Sequence, residues 1–299
     1  MTIPSDLPIE PRGALLITTD DTGHVATFER ICILSEEDYT RYRQAHKQIS
    51  GLLFGSIYTY FASSRSLLRS AVMAANQAAD AGLIQATSAP DTFATWLTSL
   101  RATALSLCSS VVYHQDQSLR RIEKAYGIGS PTYDQVKADF SGLYDGYAGY
   151  RFLCRLRNVM VHESMEAVTA AVTQLLAGGH VQSRFHVTID RSFIAQSDMK
   201  KAVKAEILGL SENPDLLHLA DEIAEPLATV NTAIETLLLD GLSWAYEAVV
   251  EFDDLFGGKP GLRAIANSPD DGPGPHVPAY MPWSQQVIDL ARGRLLPQQ

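Results

Sequence analysis

The feature that most constrains this chain is the recurrence of apolar residues at every third or fourth position along most of its length. Such spacing places apolar side chains on one face of an α-helix, because the helix turns once every 3.6 residues. The pattern begins after Ser35 and continues, with interruptions at glycine and proline, to about Phe256. We therefore predict a mainly α fold in which the helices pack through their apolar faces as a helical bundle.

Capping residues and breakers predict where these helices begin and end. Ser35 precedes three acidic residues, so its hydroxyl is expected to cap a first helix that runs toward Tyr60. Gly82 is expected to end the second helix, and Pro131 restarts the pattern after a glycine-rich break. The predicted helices beyond the first cover residues 66–81, 91–125, 133–161, 197–208 and 216–256.

Two segments carry the signals of β-strands. Residues 15–33 have the pattern of a hairpin, in which residues 20–23 supply a turn that ends in glycine. Residues 181–189 alternate in part between apolar and polar side chains and follow two consecutive glycines. We expect strand to be confined to these two segments and predict that they pair in one small sheet beside the helical bundle.

These patterns predict three regions along the chain. Residues 1–34 form the N-terminal hairpin region, and residues 35–256 form a helical domain with a β insertion at about 178–192. Residues 257–299 hold seven of the fourteen prolines and six of the twenty glycines. That density predicts an extended tail that contributes little to the core, with one short helix over 283–294 that docks back.

Composition narrows the partners of the protein. The net charge is −10 and the pI is about 5.2, which argues against a broad nucleic-acid-binding surface but leaves room for a local basic pocket. The three cysteines fit neither a disulfide framework nor a zinc site, so we predict buried thiols, no metal and no cofactor. No signal peptide or membrane-spanning segment is recognised, which predicts a cytoplasmic protein without a membrane partner.

One segment, residues 150–163, carries the chemically suggestive side chains. Arg151, Arg155, Asn158 and His162 are four, three and four residues apart, so a helix presents them as one polar stripe. An arginine fork suits a phosphate group, and histidine can transfer a proton near neutral pH. The stripe therefore predicts a site that holds a phosphodiester and acts on it without a metal.

The sequence from Arg157 to His162, Arg-Asn-Val-Met-Val-His, resembles the Rx4–6H motif of HEPN domains in its R-polar-x(3)-H form. Residues 150–162 also resemble the Y-R-x(4)-L-R-N-x(3)-H core of a group of bacterial proteins. The likeness covers residues 36–254 in pattern but only about fifteen residues in close motif. HEPN domains are all-helical and commonly dimeric, and many are metal-independent ribonucleases of toxin–antitoxin and phage-defence systems.

The resemblance implies a role for each motif residue. Arg157 would bind the phosphate, Asn158 would be its polar neighbour, and His162 would be the acid or base. On a straight helix, however, Arg157 and His162 diverge by about 140° around the axis. Arg155 faces the same way as His162 and also fits the motif in its x6 form, so both arginines remain candidates. Arg151 is a further candidate for ligand binding.

The predicted function is that of a metal-independent HEPN-type endoribonuclease in a defence or toxin–antitoxin context. The resemblance implies RNA or a nucleotide as ligand, a homodimer, and an antitoxin or operon partner protein. The alternative is a non-catalytic nucleotide-binding or protein-interaction module with a degenerate HEPN-like fold. In that case the arginines would pair with acids on neighbouring helices, such as Asp134, Asp139 or Asp145, and hold the bundle together.

Overall fold

The computed structural model describes residues 12–19, 26–84, 90–177, 180–267 and 279–295. Within these ranges the protein is mainly α-helical with a small amount of antiparallel β-sheet, which confirms the predicted class. The helices are α1 (Glu36–Leu53), α2 (Tyr58–Asp80), α3 (Pro90–Tyr126), α4 (Pro131–Gly146), α5 (Ala148–His162), α6 (Arg191–Gln196), α7 (Lys201–Leu208), α8 (Leu216–Asp240), α9 (Ser243–Asp254) and α10 (Gln285–Leu295). The strands are β1 (Arg12–Thr19), β2 (Ala26–Ile33), β3 (Val168–Ala177), β4 (His180–Ile189), β5 (Leu262–Asn267) and β6 (Tyr280–Pro282).

The chain divides into two compact units, and the first combines segments from both ends of the sequence. The first unit contains the described residues up to Ser56 and from Leu237 onward, whereas the second extends from Ile57 to Thr236. This corrects the predicted division into a hairpin region over 1–34, a helical domain over 35–256 and a tail. The hairpin, α1, α9 and the C-terminal segment share one core, which local sequence patterns do not reveal.

The first unit contains a four-stranded antiparallel sheet in the order β2-β1-β5-β6. The strands β1 and β2 form the predicted N-terminal hairpin, while the turn predicted at residues 20–23 lies outside the described residues. Ser35 caps α1 as predicted, because its Oγ accepts a hydrogen bond from the Asp38 amide at 3.0 Å. The core lies between this sheet and the helices α1, α9 and α10.

The C-terminal segment is part of this core, which corrects the predicted tail over 257–299. Gly257 and Gly258 adopt positive φ angles of 57° and 75°, so they reverse the chain after α9 and lead it into β5. Trp283 is only 1% exposed and packs 4.0 Å from Phe252, measured between ring centroids. Gly257 and Gly258 thus turn the chain between packed elements, and Trp283 anchors the described part of the segment.

A buried carboxylate also ties the C-terminal elements together. Asp253 of α9 has 9% of its side chain exposed and accepts hydrogen bonds from Arg263 at 2.7 Å and from Arg292 at 2.6 Å. These charge-assisted bonds connect α9 to β5 and to α10. The predicted helix over 283–294 corresponds to α10, which docks on α1 and α9 through Val287 and Ile288.

We expect Trp283→Ala to lower the free energy of unfolding by about 3–5 kcal/mol, because it leaves a large cavity in the core of the first unit. Trp244→Ala is the matched control, since Trp244 is 41% exposed on α9 and its loss should cost less than about 1 kcal/mol. Urea unfolding followed by circular dichroism measures both. Equal effects of the two substitutions would contradict the placement of the C-terminal segment in the core.

His46 gives the first unit a defined dependence on pH. It is buried, its ring stacks on Trp283, and its Nε2 accepts a hydrogen bond from the Ser284 amide at 3.2 Å. Burial lowers the pKa of His46 from 6.5 to about 4, so the folded protein keeps the ring neutral where the unfolded chain protonates it. The stability from neutral His46 is present above pH 6.5 and is lost as the pH falls toward 4.

We therefore expect His46→Gln, which retains an acceptor but cannot be protonated, to weaken the loss of stability between pH 6.5 and 4. Urea midpoints are measured across this range for the variant and the wild type. Because the carboxylates titrate in both proteins, the difference between the two curves is the contribution of His46. Parallel curves for the two proteins would show that His46 does not couple folding to protonation.

The second unit contains α2 to α7 and most of α8, and its helix α5 carries the candidate cluster. Gly82, with φ of 72°, follows the end of α2 as predicted. The single helix predicted over 133–161 is broken at Tyr147, whose φ of −124° and ψ of 117° separate α4 from α5. The predicted helix over 216–256 is similarly divided into α8 and α9. No described helix is both long and apolar enough to cross a bilayer.

The strand predicted over 181–189 coincides with β4, but its partner differs from the expected one. It pairs antiparallel with β3, from Val168 opposite Ile189 onward, in a separate two-stranded sheet. The expected pairing with the N-terminal hairpin is therefore wrong, and so is the confinement of strand to two segments. The sequence of β3 lacks clear alternation, and β5 is short, so neither strand has a strong local signal.

Candidate functional site

The candidate site is built on α5, which carries the Arg/Asn/His stripe. The predicted apolar face of this helix, including Phe152, Leu156, Val159 and Met160, is buried. Burial of that face leaves Asn158 and the other polar members of the stripe on the less buried side of the helix.

A close contact with α8 fixes where α5 begins. A Cβ atom at Gly149 would lie 2.5 Å from the Leu219 carbonyl oxygen, so only glycine lets the two helices approach this closely. The Gly149 amide donates a hydrogen bond to Glu222 Oε2 at 3.1 Å. The carboxylate thereby satisfies a free amide at the N-terminus of α5 and complements the helix dipole.

Arg151, at the start of the stripe, is fully engaged by the protein. Its Nη2 donates to Glu206 Oε1 at 2.5 Å and its Nε donates to Glu206 Oε2 at 3.2 Å. Its Nη1 donates to the carbonyl oxygens of Tyr144 and Asp145 at 2.7 and 2.9 Å. The bond to Glu206 raises the pKa of the guanidinium. Arg151 therefore joins α5 to α7 and to the last turn of α4.

Arg155 lies against an aromatic ring one turn further along α5. Its Nε donates to the Tyr144 hydroxyl at 3.1 Å, and its guanidinium carbon is 5.5 Å from the centre of the ring. The ammonium group of Lys200 lies 6.0 Å from the centre of the same ring. Two cations thus share Tyr144, and Arg155 is half-buried rather than free to reach into solvent.

Arg157 and Asn158 contact each other near the C-terminal end of α5. Nη1 of Arg157 donates to Oδ1 of Asn158 at 3.2 Å. Nε of Arg157 is buried and has no hydrogen-bond partner among the described residues. The Asn158 side chain is exposed. The guanidinium therefore keeps donor capacity that the described part of the protein does not use.

His162 is the last residue of α5, and its side chain is exposed. Asn158, one turn earlier, is exposed on the same face. The following residue, Glu163, turns its carboxylate to the Asp198 amide, which donates to both of its oxygens at 3.1 and 3.2 Å. The structure thus brings Asn158 and His162 to one exposed end of α5, while Arg151 and Arg155 lie among neighbouring elements.

A shallow cavity of about 280 Å³ lies beside the N-terminal part of the stripe. Residues of α4, α5 and α7 and the residue before α7 line it: Tyr144, Asp145, Arg151, Lys200, Ala202, Val203 and Glu206. Its charged groups are mixed in sign, and its arginine is already paired with Glu206. The cavity does not include Asn158, Arg157 or His162, so it is distinct from the exposed end of α5.

The partners of the stripe are residues that the sequence analysis did not identify. The alternative interpretation paired the arginines with acids such as Asp134, Asp139 or Asp145, whereas the carboxylate partner of Arg151 is Glu206 and Asp145 contributes only its main-chain carbonyl. Glu206 lies 55 residues further along the chain, on a short helix whose packing local patterns do not specify. For Tyr144 the available signal was helical spacing, which places this polar residue on the same side of the predicted helix over 133–161 as the stripe.

A buried polar group between α3 and α8 was also missed. His114 is 0% exposed, and its Nε2 lies 3.1 Å from Oδ1 of Asn231. One turn away on each helix are Ser118 and Glu235, and each has a buried oxygen without a partner among the described residues. Burial lowers the pKa of His114. Paired polar residues four apart on otherwise apolar helix faces were the available signal for this group.

Other chemistry of the described residues is limited. No group of three or more His, Cys, Asp or Glu side chains is placed to hold a metal ion within the described ranges. The thiols of Cys32, Cys108 and Cys154 are free, and the first and last are only partly buried. Burial raises the pKa of Cys108, which keeps that thiol protonated.

Comparisons with models of protein families, with curated proteins and with solved structures found no match to this chain.

We expect Glu206→Ala to lower the free energy of unfolding by about 1–2 kcal/mol, because Arg151 loses its charged partner in a half-buried position. Glu212→Ala, at an exposed position in the same unit, is the control and should cost less than about 0.5 kcal/mol. Urea unfolding measures both. If removal of Glu206 costs no more than the control, the Arg151–Glu206 pair does not stabilise the contact between α5 and α7.

Proposed function

We propose that the protein is a metal-independent endoribonuclease of the HEPN type that acts in a defence or toxin–antitoxin context. The observation that carries this proposal is the exposed end of α5. There Asn158 and His162 face solvent one turn apart, and the guanidinium of Arg157 touches Asn158. An accessible imidazole and a guanidinium with an unpaired donor are the groups that phosphodiester cleavage without a metal requires.

The proposed reaction is an attack of an RNA 2′-hydroxyl on its own 3′-phosphate. His162 takes the proton from the 2′-oxygen as the new phosphorus–oxygen bond forms. The bond to the 5′-oxygen of the next nucleotide breaks, and that oxygen takes up a proton from solvent. The products are a 2′,3′-cyclic phosphate and a 5′-hydroxyl. An arginine stabilises the negative charge that develops on the non-bridging oxygens.

A second copy of the chain allows an arginine and a histidine to face the same phosphate. Arg157 and His162 diverge by about 140° around the axis of α5, so one helix does not direct both at a single phosphate. In a two-fold dimer through the face of residues 151–162, the arginine of one copy approaches the histidine of the other. Val161, 45% exposed at this end of α5, is apolar surface suited to such a contact.

Dimerisation also provides a local positive surface on a protein whose overall charge is negative. The net charge of −10 repels RNA over most of the surface, whereas two facing copies of α5 place several guanidinium groups at one position. An antitoxin or other operon partner would suppress activity most simply by covering this end of α5.

The second candidate function is a non-catalytic nucleotide-binding or protein-interaction module. The engagement of Arg151 by Glu206 and two carbonyl groups favours it, because this arginine is used to join helices. Arg155 is likewise held against Tyr144. If the whole stripe serves the fold, the exposed Asn158 and His162 are binding groups for a partner and perform no proton transfer.

We expect His162→Ala to reduce RNA cleavage in the presence of a chelator by roughly 10²–10⁴-fold, the usual contribution of a proton-transferring group. The melting temperature should remain nearly unchanged because the side chain is exposed. His218→Ala is the matched control, since it removes another exposed imidazole from the same unit. It should leave both cleavage and melting unaltered.

Arg157→Ala and Arg155→Ala distinguish the two candidate phosphate ligands. In a shared cleft Arg157→Ala is expected to be the more severe, because Arg155 already donates to Tyr144. A greater loss with Arg155→Ala would instead favour a site within one chain. Wild-type protein that cleaves no RNA, together with loss of folding in His162→Ala, would overturn the nuclease and show that His162 serves the fold.

A further inference from the structure

The two edges of the β3–β4 sheet differ in what covers them. On β4, the Phe185 amide donates to Oδ1 of Asn76 at 2.6 Å, and the Ile189 amide donates to the Pro214 carbonyl at 2.9 Å. In an antiparallel pair, residues alternate between bonding to the partner strand and pointing away from it. Phe185 and Ile189 therefore point away from β3, and this outer edge of β4 is occupied by the protein itself.

The same alternation identifies the outward-facing groups of β3. Val168, Ala170 and Val172 are opposite Ile189, Val187 and Phe185, so their main-chain groups point away from β4. The Val168 carbonyl accepts a hydrogen bond from Nε of Arg101 at 2.8 Å, in agreement with this assignment.

The covering of β3 stops at Val168. The outward N–H and C=O groups of Ala170 and Val172 have no hydrogen-bond partner among the described residues. The side chains of residues 171–173 are exposed, and that of Val172 is 38% exposed. The described residues therefore leave the outward main-chain groups of Ala170 and Val172 without a hydrogen-bond partner at this edge.

The sequence of β3 lacks the devices that normally protect an open edge. It reads VTAAVTQLLA, with no charged residue and no proline over its ten residues. By contrast, β1, β2, β4 and β5 each contain an arginine. Charged side chains and proline on edge strands discourage pairing with another chain. Their absence here marks β3 as a strand that accepts a partner.

We propose that β3 of one copy pairs antiparallel with β3 of a second copy, which joins two hairpins into one four-stranded sheet. A two-fold axis beside the strand places the two copies of β3 antiparallel. Each copy then offers the other the same alternating donors and acceptors. An uncharged strand meets its own copy without like-charge contacts, a strong consideration for a chain of net charge −10.

The stability of β-sheets also favours a second copy of the chain as the partner of β3. A two-stranded sheet is marginal, whereas four strands are typical, so pairing of two hairpins stabilises an element that each copy already contains. This surface is separate from the exposed end of α5, and its test does not depend on RNA cleavage.

Ala170→Pro and Val172→Pro test the proposal, because proline removes an outward N–H group and leaves the β3–β4 hydrogen bonds intact. Val161→Lys disturbs the α5 contact of the proposed function and should leave a dimer paired through β3. In that background, light scattering at micromolar concentrations should find a shift from dimers to monomers when either proline substitution is added, with unchanged circular dichroism. Persistence of the dimer when Val161→Lys is combined with each proline substitution would overturn the β3 pairing.

Amide hydrogen exchange of the wild type provides a test that does not depend on whether the variants fold. In the dimer, the amides of Ala170 and Val172 should exchange about 100-fold more slowly than in protein diluted to the monomer. Those of Ala171 and Thr173, which bond to β4, should be protected in both states. A wild-type monomer at all concentrations, or a dimer with unprotected Ala170 and Val172, contradicts the proposal.

Discussion

The burial of one face of α5 determines where every polar side chain of the candidate cluster lies. Gly149 allows the helix to start in contact with α8, and the buried apolar residues then fix its rotation about its axis. Arg151 is directed to Glu206 on α7, while His162 is directed to solvent. The stripe is thus divided by packing into a part that holds helices together and a part that remains accessible.

This division explains how one motif supports two different functions. Arg151, at the start of α5, stabilises the fold because its half-buried guanidinium donates its hydrogen bonds to other groups of the protein. The exposed end has the opposite character, with an imidazole and an amide side chain facing solvent. Under the proposed function, catalysis there requires an arginine directed at the same phosphate as His162, and a second copy of the same helix is the simplest source.

The sequence predicted the helical class because the apolar period is repeated over long segments, and it predicted the cap at Ser35 because the capping signal is local. It did not predict that the described residues of the segment over 257–299 share a core with the N-terminal hairpin. That arrangement depends on Trp283 and on the pairing of β5 with β1, contacts between residues more than two hundred positions apart. Glycine content was taken as a sign of an extended tail, whereas Gly257 and Gly258 form a turn.

The candidate site was predictable in composition but not in environment. Helical spacing placed Arg151, Arg155, Asn158 and His162 on one side of a helix, but Glu206 and Tyr144, which hold the two arginines, come from other helices. The break at Tyr147 was also missed, because neither proline nor a strong capping residue marks it. Long-range packing therefore decides which members of the stripe are accessible.

Mixing two inactive variants tests the shared site most directly. Arg157→Ala and His162→Ala subunits, combined and allowed to exchange, form mixed dimers in which one of the two sites has both an intact arginine and an intact histidine. Random exchange predicts recovery of roughly a quarter of wild-type RNA cleavage from two proteins that are each inactive alone. No recovery in the mixture, while the wild type cleaves RNA and the subunits exchange, would contradict a site shared between two copies.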